Sequence, residues 1–278
     1  MTAVDAIIVG VVQGLAEFLP ISSSGHIVLT QFLLGIKEQG GPAPDNIAFE
    51  VMLHMGTLVS VLIFFRGRLF ALTRSLFTKE MRQERGMILW LAIASVPAVI
   101  AYLLFKEHFE AAYNNPVLVS ALLILTGVVL FIPGWIKKLK DCDKEIGFTT
   151  ALVMGCAQAF AILPGISRSG STIVGGLARG GKPEKVAEFS FLMSLPAIGG
   201  GFLFSVKDIM EKSQGSVNEA LGECLQTSYL IGAAAAAVVG LLAIYLVMGA
   251  VKRGKLTYFS YYCFLAGVSG IVYFSLAS

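Results

Sequence analysis

Hydrophobic positions run along this chain in stretches of about 20 residues, the length that a helix needs to cross a bilayer. Six stretches are uninterrupted, and they cover roughly 47–65, 86–105, 116–136, 187–206, 229–249 and 258–276. Two more apolar segments, 6–35 and 148–181, are each broken near the centre by proline, serine and glycine. Because these residue types interrupt helices and form turns, the pattern predicts six transmembrane helices and two helical hairpins.

The composition supports an all-α polytopic membrane protein. Of the 278 residues, 56% are hydrophobic and 14% are charged, and the mean hydropathy is +0.77. A soluble domain carries about 25% charged residues, so a soluble enzyme is excluded. The net charge of +3 does not indicate a nucleic-acid partner, and membrane lipids are the expected surroundings.

Positive charge in the loops predicts the orientation of the spans. Lys and Arg are concentrated in loops 66–85, 137–147 and 250–257, whereas they do not dominate loops 106–115 and 207–228. The positive-inside rule makes the first three loops cytoplasmic and the other two external. The number of crossings then requires segment 148–181 to enter and exit the membrane on the cytoplasmic face, as a re-entrant hairpin. By analogy, we expect 6–35 to be a re-entrant hairpin that enters from outside.

The two broken segments resemble each other at a constant offset of 145 residues. The matching pairs are Gly10 and Gly155, Gln13 and Gln158, Ala16 and Ala161, Ser22 and Ser167, Ser24 and Ser169, and Gly25 and Gly170. Each half then contains one hairpin and three spans, and the odd number of crossings inverts the second half. The sequence therefore predicts an inverted-topology repeat of residues 1–147 and 148–278 within one integral membrane domain.

Polar residues at the two breaks are the candidates for chemistry, because ionisable groups at membrane depth are costly without partners. Glu17, His26 and Arg168 lie there, and we expect them to partner one another. A helix that begins at such a turn presents a positive end to an anion, and Arg168 adds a guanidinium suited to phosphate. The neighbouring polar and glycine residues are Gln13, Ser22, Ser23, Ser24 and Gly25 in the first hairpin and Ser167, Ser169, Gly170, Ser171 and Thr172 in the second.

Three further polar residues lie on the predicted spans, and each has its own expected role. We expect Glu50 to adjoin the site, because it lies about one turn inside its span, and we expect His54, on the same helix face, to be structural. Glu188 is expected either to cap its helix or to orient Arg168. Since the two hairpins carry unequal chemistry, the pattern favours catalysis over a symmetric pore.

Two motifs make the chain resemble the undecaprenyl pyrophosphate phosphatase family, also known as the bacitracin-resistance proteins. They are QGLAEFLPISSSGH at 13–26 and LPGISRSGST at 163–172, with weaker support from 49–57 and 187–192. The resemblance implies hydrolysis of a C55 polyprenyl pyrophosphate to the monophosphate, and a divalent cation, Mg²⁺ or Ca²⁺. It also implies a site open to the external face of the bacterial inner membrane. Many family members have Glu where this chain has Gln13, a neutral and weaker oxygen ligand.

The roles that follow are hypotheses. Ser23 is the candidate nucleophile, with His26 or Glu17 as its general base. Arg168, with the hydroxyls and amides of the neighbouring residues named above, is the candidate phosphate-binding group. Glu17, together with Gln13 and Glu50, is the candidate cation site. Attack by a metal-activated water is the competing mechanism, in which Ser23 only orients the water.

A polyprenyl-phosphate lipid transporter or flippase is the alternative function, since inverted repeats with broken helices are typical of alternating access. The unequal hairpins and the Arg–Ser phosphate clamp distinguish the phosphatase from it. The glycine stretch 199–201 permits close helix packing, either within one chain or in a homodimer.

Overall fold

The computed structural model describes residues 1–36, 47–78, 80–135, 143–212, 222 and 224–276. These residues are mainly α-helical, and their β contact is an isolated bridge between Lys144 and Gly181. The helices with defined bounds are α1 Ala3–Phe18, α2 Ser23–Leu33, α3 Ile47–Phe64, α4 Arg66–Ser75, α5 Arg82–Ala112, α6 Pro116–Trp135, α7 Phe148–Phe160, α8 Arg168–Ala178, α9 Pro183–Leu192, α10 Ser194–Lys212, α11 Thr227–Lys252 and α12 Thr257–Leu276.

Six helical stretches of the described chain are long and apolar enough to cross a membrane. They are α3, α5, α6 up to Pro133, the stretch Pro183–Val206 formed by α9 and α10, α11 and α12. The prediction of an all-α protein with six membrane-spanning segments is confirmed.

Three local expectations are corrected. Residues 106–112, predicted to be an external loop, continue α5 beyond a kink at Phe105, where Lys106 and Glu110 pair one helical turn apart at 3.6 Å. The predicted span 187–206 is two helices, because Pro196 has no N–H to donate to the carbonyl of Leu192. The loop 66–85 contains α4.

Each broken apolar segment folds as two short helices joined by a turn, as predicted. The first turn lies between α1 and α2 and includes Ser22 at φ +72°, and the second lies between α7 and α8 and includes Gly165 at φ +99°. At about 1.5 Å per residue, none of these four helices reaches the roughly 30 Å of a hydrocarbon core. Re-entry into the membrane and the inverted orientation of the two halves stay predictions.

Equivalent glycines place the hairpins against the spans of the opposite half. A Cβ on Gly10 of α1 would lie 2.3 Å from the carbonyl oxygen of Gly232 on α11, and a Cβ on Gly155 of α7 would lie 2.5 Å from that of Ala94 on α5. These two glycines are 145 residues apart, and each meets the second span of the other half. Only glycine allows backbones to approach this closely.

The glycine stretch 199–201 does not pack in this way. A Cβ on Gly199, Gly200 or Gly201 would meet no heavy atom of the described chain within 4 Å. Close helix packing at this stretch within the described residues is therefore not found, and the homodimer stays a prediction.

Some charges used to orient the loops lie outside the described residues. They are Lys79, Lys137, Lys138, Lys140, Glu219 and Glu223. The cytoplasmic and external assignments therefore rest on the sequence.

Candidate active site

The tips of the two hairpins meet and are joined by hydrogen bonds. The backbone N–H groups of Gly165 and Gly25 donate to Ser22 Oγ at 3.1 and 3.2 Å. A Cβ on Gly25 would lie 2.9 Å from the Cα of Gly165, so the contact requires a residue without a side chain at position 25. Thr126 of α6 fixes the second tip, because its hydroxyl donates to Gly165 O at 2.7 Å and accepts from Ser167 N at 3.0 Å.

Glu17 is the centre of the polar cluster at this crossing. Arg168 Nη2 donates to Glu17 Oε1 across the two hairpins. Ser23 Oγ donates to Glu17 Oε2 at 2.6 Å, and Gln13 Nε2 donates to the same oxygen at 3.3 Å. Glu17 is only 7% exposed, and three donors stabilise its carboxylate. The expected association of Glu17 with Arg168 is present.

This cluster forms one wall of a cavity of about 350 Å³. The polar groups that line the cavity are Glu17, Ser23, Ser24, Glu50, His54, Tyr113, Ser167, Arg168 and Ser205. Apolar side chains from α3, α10 and the turn before α8 complete the wall, among them Ile47, Val51, Ile162, Ile198 and Phe202. The cavity can therefore hold a charged group against Arg168 and an apolar group beside it.

His26 does not contact Ser23, although the sequence made it one candidate for the base. Its Nδ1 lies 2.8 Å from Ser22 O and its Nε2 lies 2.8 Å from the Tyr262 hydroxyl. The His26 and Tyr262 rings also stack, with centroids 5.5 Å apart. Because the carbonyl only accepts, Nδ1 donates to it and Nε2 accepts from Tyr262. The geometry therefore favours Glu17 over His26 as the base for Ser23.

Most of the predicted phosphate-binding residues hold the turns rather than face the cavity. Of this set, Ser24, Ser167 and Arg168 line the cavity. The N–H groups of Gly25 and Gly170 are taken by the capping hydroxyls of Ser22 and Ser167.

The remaining hydroxyls of the second hairpin are also engaged inside the fold. Ser169 donates to Leu19 O at 3.2 Å, and Thr172 bonds to Arg168 O at 2.8 Å and to the Ser190 hydroxyl at 2.7 Å. Ser171 is buried. Arg168, Ser24, Ser167 and the N–H groups of the first helical residues, which have no intrahelical acceptor, therefore stay the candidates for direct phosphate contact.

The candidate cation ligands occupy different positions in the fold. Glu50 and His54 line the cavity with Glu17, whereas Gln13 is fully buried and lies outside the lining. Glu50 Oε1 accepts from Gln31 Nε2 at 3.4 Å. Gln13 donates to Glu17 through Nε2, and its buried Oε1 has no hydrogen-bond partner among the described residues, so its role as a cation ligand stays a prediction.

One expectation about the spans is wrong, and one stays a prediction. The structural role expected of His54 stays a prediction, since its ring lines the cavity and its Nδ1 lies 2.8 Å from Glu50 O of the same helix. Glu188 neither caps a helix nor orients Arg168, because it pairs with Arg68 at 2.7 Å. Arg168 Nη1 is instead held by the backbone carbonyl of Ser190 at 3.3 Å.

Carboxylates on two walls of one cavity suit a cation that also binds substrate oxygens. The described residues contain no preformed group of three or more His, Cys, Asp or Glu side chains at metal-binding distance. Mg²⁺ is commonly held by only one or two carboxylates together with substrate phosphates and water. The donor set around Glu50 fits that kind of site and does not fit an all-protein metal cage.

Tyr113 is a cavity residue that the sequence analysis missed. It lies just after α5, lines the cavity and shares a hydrogen bond with the Ser24 hydroxyl. Burial, together with the negative charge of Glu50, raises the pKa of Tyr113, so the phenol stays protonated and can donate. A tyrosine in a segment predicted to be a loop carries no local signal of this position.

The chain is similar to known proteins along nearly its whole length. The family model described as bacitracin resistance protein BacA matches residues 6–269. Three relatives named undecaprenyl-diphosphatase are similar over nearly their whole length. The protein from Alkaliphilus metalliredigens is 39% identical over 99% of this chain and 100% of its own. The one from Rhodopirellula baltica is 40% identical over 95% of each chain. The one from Syntrophotalea carbinolica is 41% identical over 96% of this chain and 97% of its own.

With two hairpin motifs joined in one cavity and a family match along almost the entire sequence, this chain belongs to the bacitracin resistance protein BacA family.

Proposed function

We propose that this protein hydrolyses undecaprenyl pyrophosphate to undecaprenyl phosphate and inorganic phosphate. This reaction recycles the lipid carrier of cell-wall synthesis and confers resistance to bacitracin. The observation that carries the proposal is that Glu17 is hydrogen-bonded to Ser23 on one side and to Arg168 on the other, within one cavity. The family match and the names of the relatives support the same activity.

The cavity matches a lipid substrate with a charged head. Arg168 and the Ser24 hydroxyl are donors for the pyrophosphate, and the apolar side chains of α3 and α10 border the same space. A guanidinium is well suited to phosphate oxygens because its donors form a rigid planar fork. The first prenyl units would pack against the apolar wall while the diphosphate lies against Arg168.

In the covalent mechanism, Ser23 Oγ attacks the terminal phosphorus and Glu17 Oε2 accepts the hydroxyl proton. The bond between that phosphorus and the bridging oxygen breaks, and undecaprenyl phosphate leaves with the bonding electron pair. Water then cleaves the phosphoserine and releases inorganic phosphate. Arg168 stabilises the charge on the phosphoryl group during both steps.

Arg168 links substrate binding to the activation of Ser23. In the structure its guanidinium neutralises Glu17, and this makes the carboxylate a weaker base. A bound pyrophosphate competes for the same guanidinium. Glu17 then loses part of its counter-charge and becomes a better acceptor for the proton of Ser23.

A divalent cation, Mg²⁺ or Ca²⁺, is part of the proposal. Glu50 and Glu17, on two walls of the cavity, would hold it together with phosphate oxygens of the substrate. When bound, it would neutralise charge on the pyrophosphate. In the competing mechanism a water replaces Ser23 as the nucleophile.

We place the protein in the bacterial inner membrane with the cavity open to the external side. The six apolar helices support a multi-pass membrane protein. The cavity lies where residues at the start of α3 and just after α5 meet, and charge in the loops assigns these ends to the outside.

The activity is tested by phosphate release from undecaprenyl pyrophosphate by the purified protein, with EDTA and with added Mg²⁺ or Ca²⁺. We expect cation-dependent release that is lost in folded Arg168→Ala protein. A folded wild type that releases no phosphate but exchanges polyprenyl phosphate across liposomes would instead establish the lipid transporter.

The nucleophile is tested by acid quench of the reaction with substrate labelled at the terminal phosphate. Label on the peptide that contains Ser23, absent in Ser23→Ala, is expected. A wild type that turns over substrate and never carries label would leave attack by water as the mechanism.

A further inference from the structure

A second cavity lies at the opposite end of α3 from the reaction cavity. Phe64 lines it, whereas Glu50 of the reaction cavity is 14 residues earlier in the same helix, about 21 Å away at 1.5 Å per residue. We call this second cavity, of about 750 Å³, the basic groove. It runs between the start of α9 and the end of α11, and the proposed reaction makes no use of it.

The basic groove carries positive charge that the fold does not neutralise. Its two carboxylates already have partners, since Glu184 pairs with Lys252 at 2.9 Å and Glu188 pairs with Arg68 at 2.7 Å. The other cations that line it are Lys185, Arg253 and Lys255, and none of the three makes an ion pair with a described residue. Three cations from two segments of the chain therefore line the groove without an ion-pair partner among the described residues, and an anion would complement them.

The other lining of the groove is apolar. It contains Phe64, Leu246 and Met248, of which Leu246 is 50% exposed and the other two are partly buried against the core. Apolar side chains exposed on a spanning helix meet lipid chains, whereas the cations beyond the helix end lie at the depth of the headgroups. The groove thus has one end for an acyl chain and one end for a phosphate.

The adjacent helix α4 also indicates that the groove lies at the depth of the lipid headgroups. α4 begins two residues after Phe64, and its Arg68 pairs with Glu188 at the rim of the groove. Phe70 and, just after the helix, Phe77 are 70% and 86% exposed, and Arg66 and Arg74 are exposed beside them. Exposed aromatic and basic residues on a short helix are typical of a segment that lies at the membrane interface.

We propose that the basic groove binds an anionic phospholipid, with its phosphate held by Lys185, Arg253 and Lys255 and an acyl chain along Leu246 and Met248. The complementary charge and the exposed apolar side chain of Leu246 beside it carry this assignment. The site is distinct from the reaction cavity, and the proposal does not depend on the phosphatase activity.

The experiment is a lipid titration followed by native mass spectrometry of the purified full-length protein. Phosphatidylglycerol and phosphatidylcholine are the two probes, and the test variant is Lys185→Gln/Arg253→Gln/Lys255→Gln. At about 1 kcal/mol for each cation and 1.4 kcal/mol for each tenfold change, we expect the apparent affinity for the first phosphatidylglycerol to fall by ~100-fold. Phosphatidylcholine should bind the wild type and this variant equally weakly.

A matched variant, Arg66→Gln/Arg74→Gln/Arg82→Gln, removes the same charge from α4 and the start of α5 outside the groove. It should retain the first phosphatidylglycerol. Equal losses in the two triple variants would mean a general attraction to positive charge and would overturn the proposal. So would displacement of phosphatidylglycerol by millimolar inorganic phosphate or by an equimolar amount of polyprenyl phosphate, since the groove would then hold a phosphate group or the product lipid.

Discussion

Ser23 Oγ donates a hydrogen bond to Glu17 Oε2 at 2.6 Å, although the two residues belong to different helices. Glu17 is the next-to-last residue of α1 and Ser23 begins α2, and the turn between them reverses the chain through Ser22 at φ +72°. The same carboxylate pairs with Arg168, which is 151 residues later. One side chain therefore joins the candidate nucleophile to the candidate phosphate-binding group.

Glu17→Gln should lower phosphate release by about 100-fold or more, since general acid–base catalysis typically contributes 10²–10⁴. The amide keeps the size of the side chain and cannot take the proton of Ser23. The measurement is kcat with saturating substrate and cation. Glu188→Gln is the matched control, because this carboxylate is also paired with an arginine but lies outside the reaction cavity; it should retain the wild-type rate. A Glu17→Gln protein with wild-type kcat would remove Glu17 from the mechanism.

Breaking the Glu17–Arg168 pair on one side should destabilise the protein. Arg168→Met leaves a carboxylate without its counter-charge at a site where the Glu17 side chain is 6% exposed, which costs about 3–5 kcal/mol. The double variant Glu17→Gln/Arg168→Met has no charge to compensate and should recover most of that stability while staying inactive. Equilibrium unfolding in mixed micelles measures the free energy of unfolding of the wild type, the single variant and the double variant.

The exposed pair of Lys106 and Glu110 is the control for the variants of the buried Glu17–Arg168 pair. Removing it should change the free energy of unfolding by at most about 1 kcal/mol. If the double variant at Glu17 and Arg168 loses as much stability as the sum of the two single changes, the two side chains do not interact as described.

Glu50→Gln should shift the cation dependence of the reaction. If Glu50 shares a cation with the substrate phosphates, an amide oxygen holds that cation less tightly, and half-maximal activity should require at least about tenfold more Mg²⁺ or Ca²⁺. Glu110→Gln, on the exposed surface at the end of α5, should leave the titration unchanged. An identical cation titration for Glu50→Gln and the wild type would contradict the assignment, as would full wild-type activity in EDTA.

Gly165→Ala should destabilise the packing of the second hairpin tip against α6. A Cβ there would lie 2.4 Å from Val119 O, at φ +99°, so crowding of about 1–3 kcal/mol adds to the backbone cost of positive φ. Gly35→Ala is matched for the sign of φ, at +66°, but its Cβ would meet nothing within 4 Å, so only the backbone cost of about 1–2 kcal/mol should appear. The readout is thermal unfolding of the two variants, and equal shifts would show that the second tip is not tightly packed against α6.

The spans and the breaks could be predicted because they depend on local properties of the chain. A run of about 20 apolar residues is stable in a bilayer only as a helix, and Pro20 and Pro164 interrupt the helices where the structure has its turns. The association of Glu17 with Arg168 was predictable for a similar reason, since an ionisable group at membrane depth requires a partner. The limits of α5 and the division between α9 and α10 were harder to predict from the sequence, because hydropathy does not reveal kinks within an apolar run.

The separate roles of the polar residues at the site could not be predicted from the sequence. Ser22, Ser23 and Ser24 are identical side chains in a row, yet Ser22 joins the two hairpin tips, Ser23 bonds to Glu17, and Ser24 bonds to Tyr113. Their roles depend on which way each hydroxyl points from a turn. His26 illustrates the same limit, because Tyr262, its partner, is 236 residues away.

The sequence by itself determined that this protein is helical and embedded in a membrane, that it has two broken segments, and that their motifs are those of the BacA family. These features follow from hydropathy and from short ordered motifs. Only the tertiary structure decided that Glu17 rather than His26 faces Ser23, that His54 and Tyr113 border the cavity, and that Gln13 does not. The physical reason is that these relationships are set by the packing of helices distant in sequence, where a rotation of one helix changes which side chains meet.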